Sequence, residues 1–244
     1  MDIYVINPDV NDDISTLMLE NIRKYTAPET NITCKSPDGG PVSINNAYTK
    51  EIASSYILKE IIASEKKGKY DGYVIGCFAD PAIHAAKEIT NKPVVGIGEA
   101  SIHIAKLIGE SFSIITVGPE SRWVYKDAVH RCGAESKLAS LKSPPIQSEE
   151  AFYNRKNVTD LVIEESLRAV KEDYAEVIIL GCGVMTGIEK IVEREVNVPV
   201  INPVAAGMKL LESLISLRLR PSKKYSYKHP GTTPLMNVPR EFHL

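Results

Sequence analysis

The sequence predicts an α/β protein built twice over, with parallel sheets covered by helices and a crevice between two lobes. Three observations carry this. Apolar runs alternate with helix-period segments along almost the whole chain of 244 residues. The run Tyr73-Val74-Ile75-Gly76-Cys77 is followed, 16 residues after the thiol, by Pro93-Val94-Val95-Gly96-Ile97. The run Val177-Ile178-Ile179-Leu180-Gly181-Cys182 is followed, 17 residues after its thiol, by Pro199-Val200-Ile201-Asn202. Strand, Gly-Cys, helix, Pro and strand thus recur as an internal duplication.

Taken in order, residues 2–6 read as a buried strand closed by Asn7-Pro8. Asn11 to Asp13 offer caps for a helix with Ile14, Leu17, Met18, Ile22 and Tyr25 on one stripe. Ile32-Thr33-Cys34 reads as a short strand, and the prolines and Gly pair of residues 36–41 require a loop. A helix is expected over 47–66 with Ile52, Tyr56 and Ile61 on its apolar side. In the first cysteine unit, Asp80-Pro81 is expected to open a helix, with Pro in its first turn. A helix over 99–107 precedes a strand over 112–117 that ends in Gly118-Pro119. Next come a helix over 120–131, a polar segment through Pro144-Pro145, and a helix over 157–172. The second cysteine unit and a long helix over 205–219 complete the core, and the proline-rich tail 221–244 is expected to wrap over the surface. The first lobe is assigned to 1–97 plus 205–244 and the second to 98–204, the last helix returning to pack on the first half. The apolar Leu210, Leu211, Leu214 and Ile215 of that helix suit either core or subunit interface.

Composition narrows the functions. A net charge of −2 gives no pull towards nucleic acid or an anionic membrane. No stretch approaches the roughly 20 apolar residues of a membrane span. The start, Met1-Asp2-Ile3-Tyr4, lacks the basic segment and apolar core of a signal peptide, so a cytoplasmic setting is expected. The four cysteines form no CxxC and no disulfide scaffold, and the five histidines show no metal-ligand spacing. Phosphate-loop, dinucleotide, GxSxG and HExxH motifs are absent from the sequence.

In parallel sheets the binding crevice lies beyond the carboxyl ends of the strands. Cys77, Cys182, Asn7 and residues 116–118 all fall at that edge. A single cysteine there is ordinarily a small buried hydrophobe, the reading kept for Cys34 and Cys132. Two at equivalent points of a duplication favour chemistry, since sulfurs on opposite sides of one carbon suit moving a proton between its faces. Helix starts after each cysteine are expected to favour thiolate and lower the thiol pKa. Asp80 suits either a helix cap or, with Glu99, assistance at the cleft.

The chain resembles the Asp/Glu/hydantoin racemase superfamily, and within it the hydantoin/allantoin racemase branch. The resemblance rests on Val5-Ile6-Asn7-Pro8, Gly40-Pro41-Val42-Ser43-Ile44, the run 74–81 through 93–100, and Ile179-Leu180-Gly181-Cys182-Gly183-Val184-Met185. It implies two pseudo-symmetric lobes, each a parallel-sheet three-layer α/β unit, with the active site in the cleft between them. It further implies a cofactor-independent, metal-free homo-oligomer in which Cys77 and Cys182 deliver and remove the proton beside a carbonyl. Asn7, Ser43, Phe78, Thr116, Val117, Gly183 and Val184 match substrate-lining positions. Amino-acid racemases of the superfamily carry Thr after their cysteines. Phe78-Ala79 and Gly183-Val184 are apolar there and point to a neutral hydantoin or allantoin ring. The alternatives are an aspartate or glutamate racemase, an arylmalonate decarboxylase-like or maleate isomerase-like enzyme, and a two-lobed small-molecule binding protein.

Overall fold

The computed structural model describes residues 1–231 and 234–244. Short apolar strands form two four-stranded parallel sheets of the same order. In the first, β1 (Asp2–Ile6) pairs with β2 (Asn31–Lys35) on one side and β3 (Gly72–Ile75) on the other, and β4 (Val94–Gly96) follows β3. In the second, β5 (Phe112–Ile115) lies between β6 (Leu138–Lys142) and β7 (Val177–Leu180), with β8 (Val200–Ile201) beyond β7. The central strands β3, β5 and β7 are buried throughout, as parallel strands covered on both faces must be.

The helices are α1 (Asp12–Ile22), α2 (Ala47–Lys67), α3 (Ile83–Ile89) and α4 (Ile97–Ile108) in the first half of the chain. The second half holds α5 (Arg122–Arg131), α6 (Ser148–Tyr153), α7 (Arg155–Glu172), α8 (Glu189–Val196) and α9 (Pro203–Ser216). Their ends follow local rules. The Asn11 side chain accepts from Asp13 N at 3.1 Å to start α1, and Asn46 with Thr49 forms a capping box for α2. Gly68, at φ 62°, closes α2 in the left-handed conformation.

The duplication extends to single hydrogen bonds. Gly76 N donates to Ile6 O at 2.8 Å, and Gly181 N to Ile115 O at 2.7 Å. Asn7 N donates to Lys35 O at 2.9 Å, and Thr116 N to Lys142 O at 3.0 Å. Tyr73 N donates to Pro93 O, and Ile178 N to Pro199 O. The halves also exchange a helix. α4 leaves β4 and packs on β7, whereas α9 leaves β8 and packs on β3 and β4, and the two helices pack on each other.

Several sequence expectations need correction. The polar segment before Pro144 contains the edge strand β6, and α6 precedes the expected helix α7. Strand β5 stops at Ile115, and a 3-10 turn, Pro119–Ser121, comes before α5. Ile52 on α2 is exposed, and the inward face is Ala53, Ile57, Ile61 and Ile62. On α9, Leu211 is buried while Leu210, Leu214 and Ile215 are half-buried against the core. The tail lies along the first half, where Lys223 Nζ donates to Lys87 O at 2.6 Å and Lys66 Nζ donates to His243 O at 2.9 Å. Thr232 and Thr233, within the tail expectation, lie outside the described residues.

Candidate active site

Each cysteine directly follows the glycine that closes a central strand. Close approach leaves little room for a Cβ at either glycine. A Cβ on Gly76 would lie 3.1 Å from Ile6 O and 3.2 Å from Met18 Sδ. One on Gly181 would lie 2.8 Å from Ile114 Cγ2 and 2.9 Å from Thr116 Cβ. The chain then turns, and Cys77 and Cys182 line one cavity of about 40 Å³. Ile14 and Met18 of α1, Phe78, Tyr125 of α5, and Gly183-Val184 form apolar walls, with Asp9, Ser43 and Ile44 contributing from two loops. A larger apolar groove, about 880 Å³, lies between α2 and the tail and includes neither thiol.

The two cysteine loops are held from outside. In the first, Asp80 N donates to Cys77 O at 3.0 Å, and Asp80 and Ala82 adopt positive φ of 47° and 61°. This backbone is unfavourable for non-glycine residues and persists only under restraint. The restraint is visible: Asp80 Oδ1 accepts from Gly98 N at 2.9 Å, and Oδ2 from Glu99 N at 2.7 Å. Asp80 therefore caps α4, 18 residues onward, rather than the helix that follows it, and α3 starts only at Ile83. Arg131 Nη2, from α5, donates to Ala79 O at 2.9 Å. In the second loop, Met185 N donates to Cys182 O at 3.1 Å. The Arg155 guanidinium donates to Val184 O and, at 2.7 Å, to Thr186 O. Thr186 Oγ1 donates to Asn202 Oδ1 at 3.0 Å, the atom that also caps α9 by accepting from Val204 N and Ala205 N.

Electrostatically the cavity favours neutral groups. Burial pushes the Cys77 thiol well above its ordinary pKa, and the Asp9 carboxylate adds to this, while the Ala79 backbone N–H pulls the other way. The expected lowering at Cys77 is thus overturned: desolvation outweighs the single N–H, and the next helix starts six residues away. Burial also pushes Asp9 up to about 7. Tyr125 is raised by burial first and by the neighbouring Cys182 next.

Of the residues singled out from the sequence, Ser43, Phe78, Gly183 and Val184 line the cavity with the two cysteines. Asn7, Thr116 and Val117 stand behind the lining. Asn7 Nδ2 donates to Asn11 O at 3.1 Å and Ser15 Oγ at 3.2 Å, organising the loop after β1. Thr116 is fully buried, its Oγ1 donating to Val117 O at 3.3 Å. Asp9, Ile14, Met18, Ile44 and Tyr125 were not anticipated as lining. For Ile14 and Met18 the signal was their helical stripe pointing at the strand ends. Asp9 and Tyr125 carry no local signal. Among the described residues, no group of three or more His, Cys, Asp and Glu is placed to hold a metal ion.

Comparison with known proteins agrees with this architecture. The family model described as Asp/Glu/Hydantoin racemase matches residues 3–211. A hydantoin racemase of Paenarthrobacter aurescens is 35% identical over 94% of this chain and 98% of its own. The structure of an allantoin racemase from Klebsiella pneumoniae is 34% identical and superposes with a TM-score of 0.91, covering 97% of this chain and 96% of the other. An allantoin racemase structure from Pseudomonas fluorescens, 25% identical, gives a TM-score of 0.93 over 97% of this chain and 100% of the other. Matches spanning nearly the full length in both directions leave one assignment: the chain belongs to the Asp/Glu/hydantoin racemase family and groups within it with the hydantoin and allantoin racemases.

Proposed function

We propose that the protein is a racemase of hydantoin-type substrates, working without a cofactor, in which Cys77 and Cys182 exchange a proton at the ring carbon beside a carbonyl. The observation that carries this reading is that both thiols, from equivalent points of the two halves, line one small cavity. One sulfur, as thiolate, takes the proton; the other, as thiol, returns one on the opposite face, and the roles reverse for the other enantiomer. The raised Cys77 pKa fits this cycle, because a high-pKa thiol is the stronger base once ionised and holds its proton until an acceptor is placed. A carbon acid is weaker still, so the enolate oxygen needs donors. The loop backbones around Phe78-Ala79 and Gly183-Val184 are suited to supply them, since Arg131 and Arg155 occupy the carbonyls of Ala79 and Val184. Each well-placed donor contributes about 3–4 kcal/mol to such a transition state.

The apolar walls support a neutral ring over a free amino acid, whose carboxylate would lack a partner there. The lobe division adopted is 1–97 plus 205–244 and 98–204, supported by the packing of α9 on β3 and β4. A cavity of about 40 Å³ holds a few waters and no ring.

The test is polarimetry and solvent-deuterium incorporation at C5 of a 5-substituted hydantoin, with allantoin and free amino acids as comparisons. Wild-type protein is expected to racemise a hydantoin or allantoin and leave amino acids unchanged. Cys77→Ala and Cys182→Ala are each expected to lower racemisation by at least about 10³-fold. Near-normal activity in either variant would sink the two-thiol scheme.

A further inference from the structure

Asp9 is the acidic side chain in the cavity lining, and it has no equivalent across the duplication: Asn7 and Thr116 correspond, but Gly118 stands at the position matching Asp9. Its main chain is fixed. Asp9 N approaches Asn7 Oδ1 at 3.5 Å, and the next residue, Val10, donates N–H to Pro41 O at 3.2 Å. Its carboxyl, by contrast, has no hydrogen-bond partner among the described residues, although the side chain is half-buried beside Cys77. A carboxyl partly withdrawn from water and without a protein partner is poorly solvated. Such a group is stabilised by any ligand that brings it a donor, and it opposes any ligand that brings a second negative charge.

We infer that Asp9 is the selectivity residue of the site: its carboxylate receives an N–H of the substrate and turns away ligands that bring a carboxylate to the same place. This rests on the racemase reading for the identity of the ligand, a cyclic ureide with ring N–H groups, but the charge argument concerns the cavity alone. The groups facing Asp9 are Cys77 on the loop after β3, Cys182 on the loop after β7, and Tyr125 on α5. None of them brings positive charge to offset it. Burial first and the free Asp9 carboxylate second keep Cys77 protonated, and a bound N–H donor relieves the Asp9 part, which couples the arrival of the right ligand to thiol reactivity.

The experiment is protection of Cys77 from iodoacetamide, followed by mass spectrometry of the intact chain's peptides at pH 8. The ligands are 5-benzylhydantoin and N-carbamoylphenylalanine, which keeps ureide N–H groups and adds a carboxylate. Wild-type protein is expected to be protected by the hydantoin and not by the acid. In Asp9→Asn, protection by the hydantoin should weaken about tenfold or more, and the preference over the acid should shrink by a similar factor. Asp9→Glu, which keeps the charge, should retain the preference. Without ligand, Cys77 alkylation in Asp9→Asn should move to lower pH by about one unit. A preference unchanged within twofold in Asp9→Asn, or a hydantoin that fails to protect wild-type Cys77, overturns the inference. Protection with the expected preference but no racemisation or deuterium exchange leaves Asp9 as selector and instead refutes the proposed reaction.

Discussion

Around Cys77, burial and charge act in the same direction. Desolvation and the Asp9 carboxylate both hold the sulfur protonated, and one backbone N–H opposes them. Asp9 carries a cost of its own, because its carboxyl is raised to about 7 in the folded chain against about 3.9 for a free aspartate. A folded-state pKa above the unfolded value means that the folded chain binds the proton more tightly, so stability from this group falls as pH rises from about 4 to about 7. Asp9→Asn removes that cost. It is expected to stabilise the protein by about 1–2 kcal/mol at pH 8, once solvent screening of a half-exposed group is allowed for, and by much less at pH 4. Urea unfolding at the two pH values measures it, and equal effects at both would contradict the assignment. The cysteines were legible at this scale because each sits in a repeated phrase. Asp9 and Tyr125 were not, since their roles arise from what folding places beside the thiols, and a lone Asp in a Pro-containing turn reads as turn chemistry.

Among elements, the informative error concerns Asp80-Pro81. Local pattern made it the start of the next helix, yet the carboxylate spans to α4 and leaves the backbone between them in a strained turn. Sequence shows the capping residue but not which helix end it meets. The polar, half-exposed β6 was missed for a related reason: Ser140 and Lys142 hide an edge strand whose evidence is its pairing with β5. The Asp80 bridge yields a sharp expectation for Gly98. A Cβ there would run into the Phe78 carbonyl and the Asp80 carboxylate, and the former is backbone with little freedom to yield. Gly98→Ala is therefore expected to cost about 2–3 kcal/mol in chemical denaturation and to displace the Cys77 loop. Wild-type stability together with unaltered Cys77 alkylation would show that the bridge is dispensable.

The whole molecule is two copies of one four-strand plan joined by exchanged helices, and this was largely readable from the repeated Gly-Cys and Pro-strand phrases. Side-chain ties also cross between the halves: Tyr25 hydroxyl to Glu189 at 2.7 Å, and Lys50 to Asp127 at 3.0 Å. The exchange has a consequence for biosynthesis. β3 and β4 leave the ribosome with one face bare, and the helix that covers it, α9, is made about 100 residues later, a delay of about 5–20 s at ordinary elongation rates. Throughout that interval Val74 and Ile97 lack the helix that covers them, so the amino-terminal half is expected to expose apolar surface until α9 arrives. A chain stopped at residue 202 should be recovered in inclusion bodies or bind a dye for exposed apolar surface, and co-expression of residues 203–244 should not fully restore it. A soluble, cooperatively folding 1–202 fragment would show that the first half needs no late-arriving partner.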